Sequence, residues 1–359
     1  MQTEAFGNLP TGEQVDAITL RNVFGGSVRV LTLGGIVTSL NVPDRNRPFA
    51  DVVLGFDRLE SYMAPHPYFG AIVGRVAGRI PRGQLVLDGT TYQLAKNNAP
   101  NHLHGGCRGL DKRIWRATEV KQSEGSDSVR LTYHSPDGEE GYPGAVDLCV
   151  TYTLTADHTF MIESEAIADR ITPVNLTHHS YFNLAGEGTG NIFDHQLTVF
   201  SGRVFAVDES MAPTGPLGSV TGSAADFTAP RRLGDSIPGL FKNHGDLYFL
   251  KRPGATKPVA AAHLSHPSSG RFLTVSTPES CLQIYTGAAL DGSLIGNPGG
   301  AISDMPASAL NVKDFPQLQI FPDTETSSSP RTAHCARPRI MPLQRIDTTC
   351  PEIQPDLIP

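Results

Sequence analysis

Two histidine clusters carry the residue types that could perform acid–base or metal chemistry. In the segment NHLHGGCRG at 101–109, His102 and His104 are two residues apart, so on a strand both would lie on the same face. The two glycines that follow permit an abrupt turn or the close approach of a ligand. In the segment NLTHHSYFN at 175–183, His178 and His179 are adjacent. Adjacent strand residues lie on opposite faces, so only one of these two can serve a given pocket.

Three interpretations fit these clusters when they are taken alone. A His-x-His pair could supply two ligands to a metal ion in a β-structure. A histidine that titrates near neutral pH could act as a general acid or base. Surface or hydrogen-bonded core histidines would show the same spacing without any chemistry. The nearby glycines at 74 and 78 lack the Lys-Ser/Thr pair of a phosphate-binding loop, so we interpret that segment as structural.

The elements that must position these residues are strands. In residues 146–154, VDLCVTYTL, every second side chain is apolar or aromatic, which is typical of a strand with one buried face. Asp88-Gly89 lies between two such runs and predicts a hairpin. The best candidate for a helical turn lies near residues 57–62. Similar runs recur at 27–42, 84–94, 128–134, 160–168, 196–207 and 271–290. The pattern predicts an all-β fold, with antiparallel sheets packed as a sandwich or a barrel.

Composition excludes several classes of protein. Among 359 residues, 36 are Gly and 28 are Pro, which favours many turns and few long helices. Hydrophobic residues make up 39% and charged residues 18%, which fits neither a disordered chain nor a coiled coil. The net charge of −7 and the scattered Lys and Arg residues argue against a nucleic-acid partner. No apolar stretch approaches the roughly 20 residues that span a bilayer, so no membrane partner is expected.

The cysteines and the N-terminus predict a cytoplasmic protein. The N-terminal segment MQTEAFGNLPTGEQ has neither a basic start nor an apolar stretch, so we expect no signal peptide. The five cysteines are odd in number, far apart and without CxxC spacing, which favours free thiols in a reducing compartment over disulfides or a zinc site. They are Cys107, Cys149, Cys281, Cys335 and Cys350.

Two segments of different character divide the chain. Residues 1–323 contain the alternating runs and no linker-like boundary, so we predict a single β-sandwich domain there. Residues 324–359 are dense in Pro, Ser, Thr and Arg and show no sustained alternation, which is typical of a tail or a linker.

Several long motifs, in the same order along the chain, resemble the aldose 1-epimerase (galactose mutarotase) family. The segment NHLHGGCRGLDKRIW at 101–115 resembles the hallmark segment of that family, and PVNLTHHSYFNLAG at 173–186 resembles its second histidine segment. Further similar segments are DVVLGFD at 51–57, HPYFGAIVGRVAGRI at 66–80, 207–215, 226–228 and LQIYTG at 282–287. The resemblance implies the galactose mutarotase-like fold, a large antiparallel β-sandwich, in agreement with the period-two pattern.

The resemblance also implies a role for individual residues. His179 matches the histidine that protonates the ring oxygen of the sugar, and His104 matches a second pocket histidine. Arg79, Asp246 and Gln283 match residues that contact sugar hydroxyls. Anomer interconversion needs one group to take the proton of the anomeric hydroxyl and another to protonate the ring oxygen. This chemistry requires neither a metal nor an organic cofactor, and the implied partner is a small aldose.

The general base is where the chain departs from the family pattern. The family carries a glutamate in a segment that reads roughly Leu-Glu-Thr-Gln-His-Phe-Pro-Asp. Residues 317–323, QLQIFPD, match the end of this segment and place Gln317 at the base position, where an amide cannot accept the proton. Residues 325–330 match Glu-Thr and the later Pro and would keep the carboxylate. We predict Glu325 rather than Asp323 as the base.

The sequence therefore predicts an isomerase that interconverts the α and β anomers of free aldoses such as galactose and glucose. One alternative is a catalytically impaired sugar-binding protein on the same scaffold. Another is a hexose-phosphate epimerase, which would need a cluster of Arg and Lys residues around the pocket for the phosphate. A histidine–metal enzyme is the remaining alternative. Sugar preference and oligomeric state do not follow from the sequence.

Overall fold

The computed structural model describes most of the first 297 residues and three later segments. The described ranges are 1–46, 48–123, 125–240, 245–250, 257–288, 290, 292–294, 296–297, 308–313, 339–340 and 344–347. Gln317, Asp323, Glu325 and the boundary predicted at residue 323 lie outside them.

The N-terminal part of the chain forms a five-stranded antiparallel sheet. Its strands pair in chain order. The inner strands bury apolar residues on both faces: in β2, Val15 and Ala17 belong to one apolar cluster, and Ile18 and Leu20 belong to another. The strands are β1 (Gln2–Asn8), β2 (Gln14–Arg21), β3 (Ser27–Leu31), β4 (Val37–Pro43) and β5 (Phe49–Asp51).

Short elements follow this sheet and contain the first histidine cluster. They are α1 (Leu59–Met63), β6 (Ile72–Val73), β7 (Arg79–Ile80), β8 (Gln84–Leu87), β9 (Thr90–Gln93) and β10 (His102–Leu103). The predicted hairpin is confirmed, since Leu87 pairs with Thr90 across Asp88 and Gly89. Both turn residues have positive φ, at 46° and 76°, as a two-residue turn of the primed type requires. The helical turn predicted near 57–62 corresponds to α1.

The remaining regular elements are nearly all strands. They are β11 (Arg116–Ser123), β12 (Ser126–Ser135), β13 (Val146–Leu154), β14 (Thr159–Ala168), β15 (Thr177–His178), β16 (Tyr181–Phe182), β17 (Gln196–Val199), β18 (Arg203–Val207), β19 (Pro213–Ser219), β20 (Arg231–Arg232), α2 (Leu233–Ser236), β21 (Asp246–Phe249), β22 (Val259–Ser265), β23 (Phe272–Thr277), β24 (Cys281–Tyr285), β25 (Ser308–Lys313), β26 (Arg339–Ile340) and β27 (Gln344–Asp347). Single 3₁₀ turns occur at Pro81–Gly83, Leu110–Lys112, Glu139–Gly141 and Ile237–Gly239.

Two larger antiparallel sheets are built from these strands. One has ten strands, with nine in the order β11-β12-β13-β14-β27-β23-β22-β17-β20 and β26 pairing with β14. The other has six strands, in the order β16-β25-β24-β21-β18-β19. Strands from residues 339–347 thus pair with β14 and β23 inside the largest sheet. The predicted all-β antiparallel class is confirmed.

The largest apolar core joins residues from all three sheets. In β13, Val146, Leu148, Val150, Tyr152 and Leu154 are all at most 2% exposed, which confirms the buried face predicted for this strand. A second apolar cluster, which includes Phe69, Val73 and Tyr181, lies beside the elements that carry the histidines. Neither α-helix in the described ranges exceeds five residues, and none is long and apolar enough to cross a membrane.

Candidate active site

His102 and His104 do not share a face, so that prediction was wrong. Strand β10 ends at Leu103, and His104 has a φ of +52°, which lies in the left-handed region and turns the chain. His102 is fully buried, with Nδ1 2.7 Å from the carbonyl oxygen of Ala95 and Nε2 2.7 Å from the hydroxyl of Tyr142. Both of its ring nitrogens are therefore occupied in the interior, and the His-x-His pair is not arranged to hold one metal ion.

The adjacent histidines of the second cluster face apart, as predicted. The ring of His178 lies among the core aromatics Tyr152 and Phe160, at centroid distances of 6.2 and 6.3 Å. Burial lowers the pKa of His178 to about 3, so this side chain is neutral in the folded protein. The ring of His179 lies on the other side, next to that of His104. Only His179 of this pair belongs to the site.

His104 and His179 form the centre of the site. Both are buried, and their rings meet edge to face, with centroids 5.3 Å apart and an interplanar angle of 85°. The ring of Tyr68 contacts both, at 4.8 Å from His104 and 5.7 Å from His179. Tyr181 contacts the other side of His179 at 5.3 Å. Aromatic contacts thus fix the mutual orientation of two groups that can transfer or donate protons.

A backbone hydrogen bond sets the tautomer of His104. The backbone N–H of Gly78 donates to Nδ1 of His104 at 3.2 Å, and the N–H of His104 donates to the carbonyl of Gly78 at 3.1 Å. Because Nδ1 accepts a hydrogen bond, neutral His104 carries its own proton on Nε2. His104 is therefore arranged as a hydrogen-bond donor at Nε2.

The loop that follows His104 is held from two sides. An added Cβ at Gly105 would lie 1.6 Å from the carbonyl oxygen of Gly74, so only glycine allows this close packing. The carboxylate of Glu140 accepts the backbone N–H groups of Cys107 and Arg108 at 2.8 and 3.0 Å. These contacts fix where the chain leaves the site, and hence where His104 stands.

Arg79 lies at the edge of the same site. It is on β7, paired with Leu103 of β10, and its Nε donates to the side-chain oxygen of Asn98 at 3.0 Å. Burial lowers the pKa of Arg79, while the nearby phenol groups of Tyr68 and Tyr285 oppose that shift. A guanidinium keeps its charge under such shifts, so Arg79 offers fixed donors beside the histidines.

Strand register places Gln283 and Asp246 on opposite faces of the six-stranded sheet. Gln283 pairs with Leu247, whereas Asp246 pairs with Ile284, one residue out of phase. Gln283 shares its face with Tyr285, whose ring lies 6.1 Å from that of Tyr181 in the site. Gln283 is therefore on the site face, and the register does not bring Asp246 to it. Burial raises the pKa of Asp246 to about 6.

Tyr68 is the site residue that sequence analysis missed. It lies inside the segment 66–80, but no spacing rule distinguishes it from the neighbouring aromatics there. Its φ of +60° turns the chain so that its ring reaches both histidines, and Lys112 Nζ lies 5.3 Å from the ring centroid. A positive φ at a tyrosine has no sequence signal, because it is imposed by tertiary packing.

The described side chains contain no group of three or more His, Cys, Asp or Glu residues placed to hold a metal ion. The chemistry that the site offers is that of two imidazoles, a guanidinium and an amide around one pocket. Such groups donate and accept hydrogen bonds to hydroxyls and can move a proton.

Comparisons with known proteins agree on one family. A sequence model described as Aldose 1-epimerase matches residues 16–331. A protein from Sus scrofa named galactose mutarotase is 42% identical over 318 residues, which cover 87% of this chain and 89% of that protein. An aldose 1-epimerase from Escherichia coli is 32% identical over 289 residues, 79% of this chain and 82% of that protein. A solved structure of an aldose epimerase homologue from C. elegans superposes with a TM-score of 0.77 at 28% identity, covering 93% of this chain and 98% of that one.

Proposed function

The chain belongs to the aldose 1-epimerase family, and on this premise we propose that it interconverts the α and β anomers of free aldoses such as galactose and glucose. It is an isomerase that acts on small sugars. The observation that carries the proposal is the edge-to-face pair of the buried His104 and His179, whose ring centroids are 5.3 Å apart. A neutral sugar needs several fixed donors and acceptors around it, and these histidines together with Arg79 and Gln283 would supply both.

The proposed reaction is a proton exchange across the sugar ring. His179 gives a proton to the ring oxygen while an acceptor takes the proton of the anomeric hydroxyl. The C1–O5 bond breaks, the free aldehyde forms, and C1 rotates about the C1–C2 bond. Return of the two protons closes the ring as the other anomer. His104, which carries its proton on Nε2, holds a sugar oxygen during this sequence.

We also propose that Arg79 and Gln283 bind sugar hydroxyls. Two observations support hydroxyl contacts for Arg79 and Gln283: Arg79 pairs with Leu103, which precedes His104, and Gln283 lies on the face of β24 that carries Tyr285. The contact expected for Asp246 stays a prediction that the strand register does not favour. Glu325 lies outside the described residues and stays a prediction for the base.

The alternatives are less well supported. The relatives are named as mutarotases and epimerases, so a protein that only binds sugar is not favoured. A hexose phosphate would need uncommitted cations at the pocket. Lys112, near the ring of Tyr68, forms an ion pair with Asp111, and Arg79 by itself is not a cluster of cations.

Polarimetry on freshly dissolved α-galactose and α-glucose tests the proposal. We expect the protein to accelerate the change in optical rotation above the buffer rate, with saturation in sugar, and to leave a hexose 6-phosphate nearly unaffected. Saturable sugar binding with no acceleration would support the binding-protein alternative. A preference for the phosphate would support the hexose-phosphate alternative.

We further propose a cytoplasmic location. The free thiols of Cys107 and Cys149 support it, because unpaired cysteines are typical of reducing compartments. Cell fractionation with an antibody against the protein would test it.

A further inference from the structure

A row of the six-stranded sheet, continued past the start of β16, joins the candidate acid His179 and the amide of Gln283 through a single position of β25. The middle strand is β25, which pairs with β16 on one side and with β24 on the other. Ala309 of β25 is the partner of both Tyr181 and Tyr285. Two residues further along β25, Asn311 is the partner of Gln283.

The same register continued on the other side of β25 brings position 311 opposite His179. Tyr181 pairs with Ala309 in an antiparallel sense, so the residue two before Tyr181 meets the residue two after Ala309. His179 is still in sheet-like pairing, since its N–H donates to Ala71 and its carbonyl accepts from Gly70. The row therefore reads His179, position 311, Gln283.

The neighbouring row shows that these positions share the site face. Directly opposed residues in an antiparallel sheet lie on the same face, and residues two apart along a strand do as well. Tyr181 and Tyr285, the outer members of the neighbouring row, have ring centroids 6.1 Å apart on the side of His179. Position 311 is thus the one on β25 that stands next to His179.

We propose that position 311 is the proton-acceptor position of this site and that Asn311 leaves it without a protein base. This rests on the proposed function, which requires an acceptor for the anomeric proton near the acid His179, and it replaces the prediction that Glu325 is the base. An amide side chain has no proton-accepting form at ordinary pH. The proton of the anomeric hydroxyl therefore passes to water, while His179 protonates the ring oxygen, and water returns a proton when the ring closes.

Replacement of Asn311 by an acid tests this inference. Asn311→Glu and Asn311→Asp should raise kcat for α-galactose mutarotation by about 10-fold or more, because a positioned general base contributes about 10²–10⁴-fold. Asn311→Gln is the matched control, equal in size to Glu but without a carboxylate, and it should not exceed the parent. Circular dichroism and thermal melting establish that each variant is folded. Folded acid variants that are no faster than the parent overturn the inference.

Small carboxylates provide a second measurement that needs no folded variant. After subtraction of the enzyme-free rate, formate should accelerate the parent in a saturable way, because it can take the place that an acidic side chain would fill. The same formate should add little to Asn311→Glu. A parent insensitive to formate overturns the inference. If neither the parent nor the acid variants exceed the buffer rate, the proposed function fails too; if the parent exceeds it and the acids add nothing, only this inference fails.

Discussion

His104, His178 and His179 differ in what their surroundings allow them to do. Burial among aromatic rings keeps His178 neutral, with a pKa of about 3. The N–H of Gly78 occupies Nδ1 of His104 and leaves its proton on Nε2, so His104 is a fixed donor. We therefore expect different roles for the two site histidines: His104 orients the sugar, and His179 transfers the proton.

Replacement of His179 by Ala should remove most of the activity and leave the fold intact. Loss of one general acid costs about 10²–10⁴-fold in kcat. His178→Ala, the matched change one residue earlier, opens a cavity beside Tyr152 and Phe160 and should cost on the order of 3 kcal/mol of stability. Its kcat per folded molecule should change little. Polarimetry and urea unfolding measure both, and an inactive but stable His178→Ala would contradict the assignment.

Tyr68 acts on the reaction through the histidines that its ring contacts. Tyr68→Leu removes the ring that lies 4.8 Å from His104 and 5.7 Å from His179, so we expect kcat to fall by about 10-fold through misplacement of the pair. Tyr68→Phe keeps the ring and should keep most of kcat. A pH–rate profile adds a readout of the histidines themselves, which should shift in the Leu variant and not in the Phe variant. Equal losses in both variants would assign the effect to the hydroxyl group instead.

At the scale of elements, the loop after β10 depends on glycine at one point. Gly105→Ala would place a Cβ 1.6 Å from the carbonyl oxygen of Gly74 at a φ of +89°, so backbone must move. We expect a cost of roughly 3 kcal/mol and a loss of kcat, because His104 is the preceding residue. Gly138→Ala has a similar φ of +83° but meets nothing within 4 Å. It should cost only about 1 kcal/mol, with kcat retained. Thermal melts and polarimetry compare the two, and equal costs would refute the role of close packing.

Elements that depend only on residues close together in the chain could be predicted from the sequence. The alternation in β13 and the Asp88-Gly89 turn depend on residues within one strand or one hairpin. The separation of His178 from His179 follows from the two-residue period of a strand. The partners of His102 were not predictable in this way, because the turn at His104 comes from packing against Gly74 and Gly78.

The position opposite His179 depended on register, which a single sequence specifies weakly. Besides Gln317 and Glu325, a third position in the sequence matches the family's glutamate. Leu310 and Phe315-Pro316 have the same spacing as Leu and Phe-Pro in the family segment, and the residue after Leu310 is Asn311. The pairing of Asn311 with Gln283 reaches the same position from the structure alone.

At the scale of the whole molecule, two carboxyl groups connect the N-terminal sheet to a later loop. Asp51 Oδ1 accepts the N–H groups of Leu40 and Val53, and Glu187 Oε1 accepts that of Gly55. The N–H of Glu187 donates to the carbonyl of Asp51 at 2.8 Å, so the two acids are neighbours. Burial raises the pKa of Asp51 to about 7. Burial, with a smaller effect from the charge of Asp51, raises the pKa of Glu187 to about 8.

The raised pKa values of Asp51 and Glu187 predict that the stability of the protein falls as the pH rises. Their ordinary values are 3.8 and 4.5, so between these values and about 8 the folded state binds protons that the unfolded state has released. Buried histidines such as His178, with lowered pKa, act in the opposite sense up to about one pH unit above their ordinary 6.5. From pH 7.5 to 8.5 the melting temperature should therefore decrease, because the free energy of unfolding falls by up to about 1.4 kcal/mol per pH unit for one full proton.

Asp51→Asn tests the contribution of Asp51 and Glu187 to the pH dependence of stability apart from that of the other titrating groups. The amide oxygen can still accept the N–H groups of Leu40 and Val53. Because an amide does not titrate, residue 51 then neither binds nor releases a proton as the pH changes. Removal of the neighbouring charge also relieves Glu187, so its pKa should fall toward its ordinary range. We therefore expect a flatter decline in melting temperature between pH 7.5 and 8.5, and a gain in stability over the parent at pH 8. Glu13→Gln, the same acid-to-amide change on the exposed surface, should keep the parent's slope. An unchanged slope in Asp51→Asn would mean that these two carboxyl groups are ionised in the folded protein throughout this range.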